Sequence, residues 1–117
     1  MVVEIDTVYI FLNLLRVPFA EGVTKLALWI FERYGSLYIT SGYREGDSGV
    51  HGTIPCRGLD LRSRVYEDPD EVTANINIHW TYDPYRLHKQ CALFHDTGLG
   101  PHIHLQTHPN TVVPPSG

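Results

Sequence analysis

The chain has 117 residues, 43% hydrophobic and 19% charged, which suits one domain around a single buried core. Its formal net charge is −4 and its nine Lys and Arg form no run, which argues against a nucleic-acid partner, since phosphate binding needs a basic face. Cys56 and Cys91 form no CxxC pair, so two buried thiols are expected rather than a disulfide.

The reading in chain order is of one domain, 1–117, with an N-terminal segment 1–17, a core 18–108 and a tail 109–117. The first segment carries the apolar stretch TVYIFLNLLRVPFA, which follows Glu4 and Asp6 and has no basic region before it. Arg16 and Pro18 interrupt it, so it is too short to span a bilayer and lacks the form of a signal peptide. It is expected in the core, in a monomer made in the cytoplasm with no membrane partner.

Pro18 to Tyr34 predicts an amphipathic helix, with Phe19, Val23, Leu26, Ala27 and Ile30 at helical spacing, Pro18 at its first position and Gly35 as its stop. SLYITSGYR follows as a strand and runs into a loop, EGDSGVHGTIPC, rich in turn formers. Gly58 to Val65 is a second strand candidate, with Leu59, Leu61 and Val65 opposite Asp60, Arg62 and Arg64. DPDEVTANINIHW opens with a helix signal: Asp68 as N-cap, Pro69 first and Glu71 three after the cap. QCALFH predicts a buried strand, DTGLGP a turn, HIHLQTH an alternating strand, and PNTVVPPSG an extended or loose tail. Together these elements predict an α+β fold with a small antiparallel sheet flanked by helices.

Three residues stand out for chemistry: His51, Asp60 and His104. Two His and one carboxylate are a common ligand set for a catalytic zinc, which keeps one position open for water. In HIHLQTH, Ile103, Leu105 and Thr107 share one face, while His102, His104, Gln106 and His108 share the other. His102 and His104 therefore stand about 7 Å apart on one surface, so one can bind a metal while the other reaches a group beside it. Asp60, between Leu59 and Leu61, needs compensation by a metal, a hydrogen bond or an ion pair with Arg62 or Arg64. Gly52 and Gly58 allow close backbone approach around His51. Arg44 can bind a substrate carboxylate or stabilise an oxyanion, or it pairs at the surface with Glu45 or Asp47. Of the other His, His79 is expected to pack or cap, His88 to be solvated, and His95 to stand near the HIH segment.

The blocks SGYR (41–44), SGVHGTIPCRGLD (48–60) and HIH (102–104) resemble, in this order, those of the zinc D-alanyl-D-alanine carboxypeptidase and hedgehog-type metallopeptidase superfamily, which includes phage endolysins. The resemblance spans about residues 20–108. It implies a zinc ion held by His51, Asp60 and His104, with His102 and Arg44 as catalytic residues. Ser41 and Asp96 would contact substrate, and Tyr43 either adds its hydroxyl to the same site or packs. The implied substrate is a peptidoglycan stem peptide, cut by a phage or prophage enzyme acting on the wall after lysis or as a virion component. The chain departs from the pattern: IPC lengthens the loop between His51 and Asp60, Cys56 and Gly58 stand where the pattern has Gly and Ala, Ser48 is displaced, and the Glu expected three residues before the closing His is replaced by Leu99 or Pro101. General-base work then falls to His102 or Asp96. The loss also leaves open a non-catalytic zinc domain of the same fold. A cysteine hydrolase using Cys56 or Cys91 is the remaining alternative.

Overall fold

A computed structural model of the chain describes residues 1–96, 98 and 100–114. Thr97 and Leu99 of the DTGLGP turn and the last three residues of the tail lie outside the described residues. The order is β1 (Val2–Ile5), α1 (Val8–Leu14), α2 (Glu21–Tyr34), β2 (Ser36–Ser41), β3 (Gly58–Arg62), α3 (Pro69–His79), β4 (Ala92–Asp96) and β5 (Pro101–Gln106). Single 3₁₀ turns at Val50–Gly52 and Ser63–Val65 flank β3, so Arg64 and Val65 leave the strand that the sequence extends to them.

The fold is α+β, but its five-stranded sheet is mixed, in the order β1-β2-β3-β5-β4. β2, β3, β5 and β4 pair antiparallel, as expected, whereas β1 joins β2 in parallel. One sheet face buries Leu59 and Leu61 of β3 and Ile103 and Leu105 of β5 in a cluster with Val23, Leu26 and Ile30 of α2 and Val72 and Ile76 of α3. Because strand side chains alternate, this packing holds the intervening residues on the opposite face and fixes their register.

The helix signals are realised in α3: Asp68 caps it by accepting from the Glu71 N–H at 3.1 Å, and Pro69 stands in its first turn. Helix α2 ends at Gly35 in the left-handed region but starts at Glu21, later than Pro18. The Pro18 carbonyl accepts from the Cys56 N–H and the Ala20 N–H donates to the Cys56 carbonyl, at 2.9 and 2.8 Å, which holds 18–20 extended against the loop. A second correction concerns the N-terminal apolar stretch. It forms α1, which has no fully buried residue, and Val8, Tyr9 and Leu12 are more than half exposed, while Leu14 packs against the core. No helix among the described residues is long and apolar enough to cross a membrane. Within the described part of the tail, a turn at 109–110 is followed by Val112, which exchanges backbone hydrogen bonds with Thr81.

Candidate metal centre

Strand pairing assembles the polar face in two rows. Ser41 of β2, Asp60 of β3 and His104 of β5 are successive cross-strand neighbours, and Leu93 of β4 completes their row. In the next row Arg62, His102 and His95 stand side by side. Direct cross-strand neighbours have Cβ atoms about 4.5–5.5 Å apart, so Asp60 and His104 meet although the chain separates them widely.

His51 comes from the 3₁₀ turn between β2 and β3, and the turn is held on several sides. A Cβ at Gly52 would collide with the Asp47 carbonyl, and one at Gly58 would come within 2.7 Å of Val50, so both positions need glycine. The Cys56 thiol lies beneath, 3.7 Å from the His51 carbonyl and 3.5 Å from that of Gly58. The Arg44 N–H donates to the His51 carbonyl at 2.8 Å. His51 itself is buried, and its Nδ1–H donates to the Gly42 carbonyl at 2.6 Å. A carbonyl only accepts, so the proton sits on Nδ1 and Nε2 presents a lone pair. That Nε2 faces Asp60 Oδ1 at 3.1 Å.

His104 is set in the opposite tautomer. The Gln106 amide nitrogen donates to the Gln90 carbonyl at 2.8 Å, which turns its oxygen towards His104 Nε2 at 3.1 Å. Nε2 therefore carries the hydrogen, and Nδ1 faces the same Asp60 Oδ1 at 2.9 Å. Imidazole ligands in metal sites are oriented in this way, by a partner that takes the other ring N–H. With both rings neutral, three acceptor atoms converge with no hydrogen among them, an arrangement that a cation satisfies.

The spacing agrees with this reading. His51 Nε2 and His104 Nδ1 lie 3.1 and 2.9 Å from Asp60 Oδ1, near the separation of about 3.3 Å between atoms on a tetrahedral zinc with bonds of about 2.0–2.1 Å. Burial alone would raise the Asp60 carboxyl. Without a cation, hydrogen bonding and electrostatic attraction from the His104 and His51 rings outweigh it and hold the carboxyl well below its usual range. The salt-bridge alternative for Asp60 is not realised. Arg62 pairs with Asp6 at 3.3 Å and lies over the Tyr38 ring, and Arg64 is exposed.

These atoms line one side of an open cleft of about 560 Å³ that Ser41, Arg44, Arg62, His95 and His102 also line. Arg44 is half-exposed and 3.4 Å from Asp47, so it has the surface pairing considered for it and a place in the cleft as well. His102 Nε2 lies 4.0 Å from Asp60 Oδ2. Tyr43 and Asp96 are not brought in. Tyr43 is buried outside the cleft with the Arg16 guanidinium 5.7 Å over its ring. Asp96 Oδ1 accepts the Gly98 and Gly100 N–H groups at 2.8 and 3.1 Å and so braces the turn before β5.

Gln106, Gln90 and the Gly42 carbonyl had no assigned role in the sequence reading, and only Gln106 carried a signal, its place on the His104 face. His79 packs against Trp29, His88 is exposed, and His108 lies against Tyr82 away from this cleft. Both cysteines are free and buried. Burial raises the Cys56 thiol and pushes Cys91 up to about 12, which opposes a thiolate nucleophile. Comparison of the chain with protein-family models, curated proteins and solved structures finds no match.

Proposed function

We propose that this chain is a zinc-dependent peptidase that hydrolyses peptide bonds in peptidoglycan stem peptides, acting as a phage or prophage wall hydrolase. The observation that carries the metal part is the convergence of His51 Nε2 and His104 Nδ1 on one oxygen of Asp60, with the open cleft beside them. Two imidazoles and a carboxylate suit zinc and leave a coordination position free. When bound, zinc supplies a Lewis acid that polarises a carbonyl and lowers the pKa of water to about 7. The peptidoglycan part rests on the SGYR, His–Asp and HIH blocks and on the two guanidiniums in the cleft.

The chain's own residues take the remaining roles. Arg44 and Arg62 line the cleft where a substrate carboxylate would be held. The His102 Nδ1–H is 3.3 Å from the Gly100 carbonyl, which leaves Nε2 as the acceptor atom of this cleft-lining ring, 3.1 Å from His95 Nε2. That atom accepts the proton of the attacking water and returns it to the leaving amine. Asp96 is not the base in this reading, because its carboxylate braces the turn.

A non-catalytic zinc domain is the second reading. It is favoured by the carboxylates of the cleft: besides Asp60, the lining among the described residues holds only Asp6, which is paired with Arg62. Purified chain incubated with muropeptides, beside His51→Ala and His102→Ala, separates the two. The peptidase reading expects zinc-dependent release of free amines that both substitutions abolish. Zinc binding without any release would leave the binding domain.

A further inference from the structure

A second cavity, of about 500 Å³, lies between the start of α2 and the residues that follow β5, and it shares no lining residue with the cleft of the metal centre. Its donors come from three segments. Ala20 gives α2 no side-chain cap, and the first intrahelical bond is that of the Thr24 N–H to the Ala20 carbonyl at 3.2 Å. The N–H groups of Glu21 and Gly22, both in the lining, are therefore left without an intrahelical acceptor at the positive end of the helix dipole. Thr107 stands against this turn. It is 1% exposed, its Oγ1 is 3.0 Å from the place a Cβ on Gly22 would take, and its hydroxyl has no hydrogen-bond partner among the described residues. Arg57 is the third donor. Its Nη1 donates to the Thr107 carbonyl at 3.0 Å and to the Tyr82 hydroxyl at 3.3 Å. Among the described residues it forms no ion pair, and a part-buried charge without a partner is costly. Lys25 and Arg57 face one carboxylate in the lining, Glu21, which is exposed and already pairs with Lys25 at 2.9 Å. The cavity therefore carries positive charge in a chain whose net charge is −4.

We propose that this cavity is an anion site that takes a phosphate group, bound by the Arg57 guanidinium, the Thr107 hydroxyl and the Glu21 and Gly22 N–H groups. Unpaired N–H groups at a helix N-terminus beside a guanidinium fork are the chemistry that recognises phosphate, whose oxygens accept from several directions at once. Gly22 suits this role, because a Cβ there would press on the Thr107 hydroxyl and shield the backbone donors. The positive charge is confined to one cavity, so the occupant is a single phosphate group and not the long backbone of a nucleic acid. That group is either free orthophosphate or part of a phosphodiester polymer, which present the same kind of oxygen. The site goes beyond the peptidase reading and shares no residue with the metal ligands, so either can fail without the other.

Isotope-labelled, chelator-treated chain is titrated with sodium phosphate at constant ionic strength and followed by amide chemical shifts. The expected result is a saturable change centred on Glu21, Gly22 and Thr107. Arg57→Gln and Thr107→Val should each weaken binding about tenfold or more, the loss of one hydrogen bond to a charged group. Arg62→Gln, which removes a guanidinium from the metal cleft, should leave phosphate binding unchanged. Arg57 also holds the Thr107 carbonyl, so Thr107→Val, with a dispersed spectrum as proof of folding, decides the matter if Arg57→Gln does not fold. A parallel titration with poly(glycerol phosphate) separates the sources. A response to orthophosphate alone supports a site for the free ion, and tighter binding of the polymer supports a site for the phosphodiester. No saturable change with either probe would overturn the site. Changes centred on Arg44 and Arg62, or equal affinity in Thr107→Val and the unaltered chain, would overturn it as well.

Discussion

Replacing Gln106 with Ala removes the group that sets the tautomer of His104 while leaving all three proposed ligands in place. The Gln106 oxygen is 3.1 Å from His104 Nε2, and its amide is anchored on the Gln90 carbonyl at 2.8 Å. Loss of such an orienting partner typically weakens metal binding about 10–100-fold. With free zinc at about a hundred times the original Kd, binding stabilises the folded chain by about 2.7 kcal/mol, and the variant keeps about 0.4–1.4 kcal/mol. For 117 residues, an unfolding entropy of about 2.1 cal/mol/K per residue converts 1 kcal/mol into about 4 °C. The zinc-induced rise in Tm should fall from about 11 °C to about 2–6 °C, read by scanning fluorimetry with and without zinc. Each protein is its own reference, so any change in metal-free stability cancels. Equal rises in the two proteins would refute the orientation of His104 by Gln106.

Ile103→Ala should cost about 2–5 kcal/mol in urea unfolding, because Ile103 is fully buried between the sheet and the helices; a loss below 1 kcal/mol would mean that this face is not the core. At about pH 8 iodoacetamide should leave the native chain unlabelled and alkylate both cysteines in urea, since burial raises both thiols; fast native labelling would point back to a cysteine nucleophile. Without metal, Asp60 has a folded pKa below its unfolded value of about 3.9. Its contribution is present above about pH 4 and is lost as the pH falls through the folded value. The unaltered chain should therefore lose more stability than Asp60→Asn between about pH 5 and pH 2, and parallel losses would contradict the assignment. Arg44→Ala should abolish muropeptide hydrolysis with zinc binding unchanged, and retained hydrolysis would exclude Arg44 from substrate binding.

The candidate site was legible where local pattern and tertiary structure follow the same rule. Ile103 and Leu105 alternate with His102 and His104, so packing one pair in the core turns the other to the opposite face of the sheet, and the same holds for Leu59 and Leu61 around Asp60. What brings His51 to them is a loop whose geometry depends on Gly52, Gly58 and Cys56 packing together, which no spacing reveals. Strand β1 was missed because it has only four residues at the sheet edge, with Val2 and Val3 half-exposed, so it carries no burial pattern. The stretch that became α1 is apolar enough to resemble core, yet only Leu14 turns inward from its last turn. Pro18 suits a first helical turn, but backbone pairing with Cys56 held it outside α2. His95 meets His102 across β4 and β5, in keeping with its place in the chain just before the HIH segment.

The most direct test of the account is zinc K-edge absorption on untagged protein loaded with one equivalent of zinc. Ligation by His51, Asp60 and His104 predicts a first shell of nitrogen and oxygen alone, at about 2.0–2.1 Å, with the outer scattering of two imidazoles. A sulfur shell at about 2.3 Å would contradict it by moving the ion to Cys56 or Cys91.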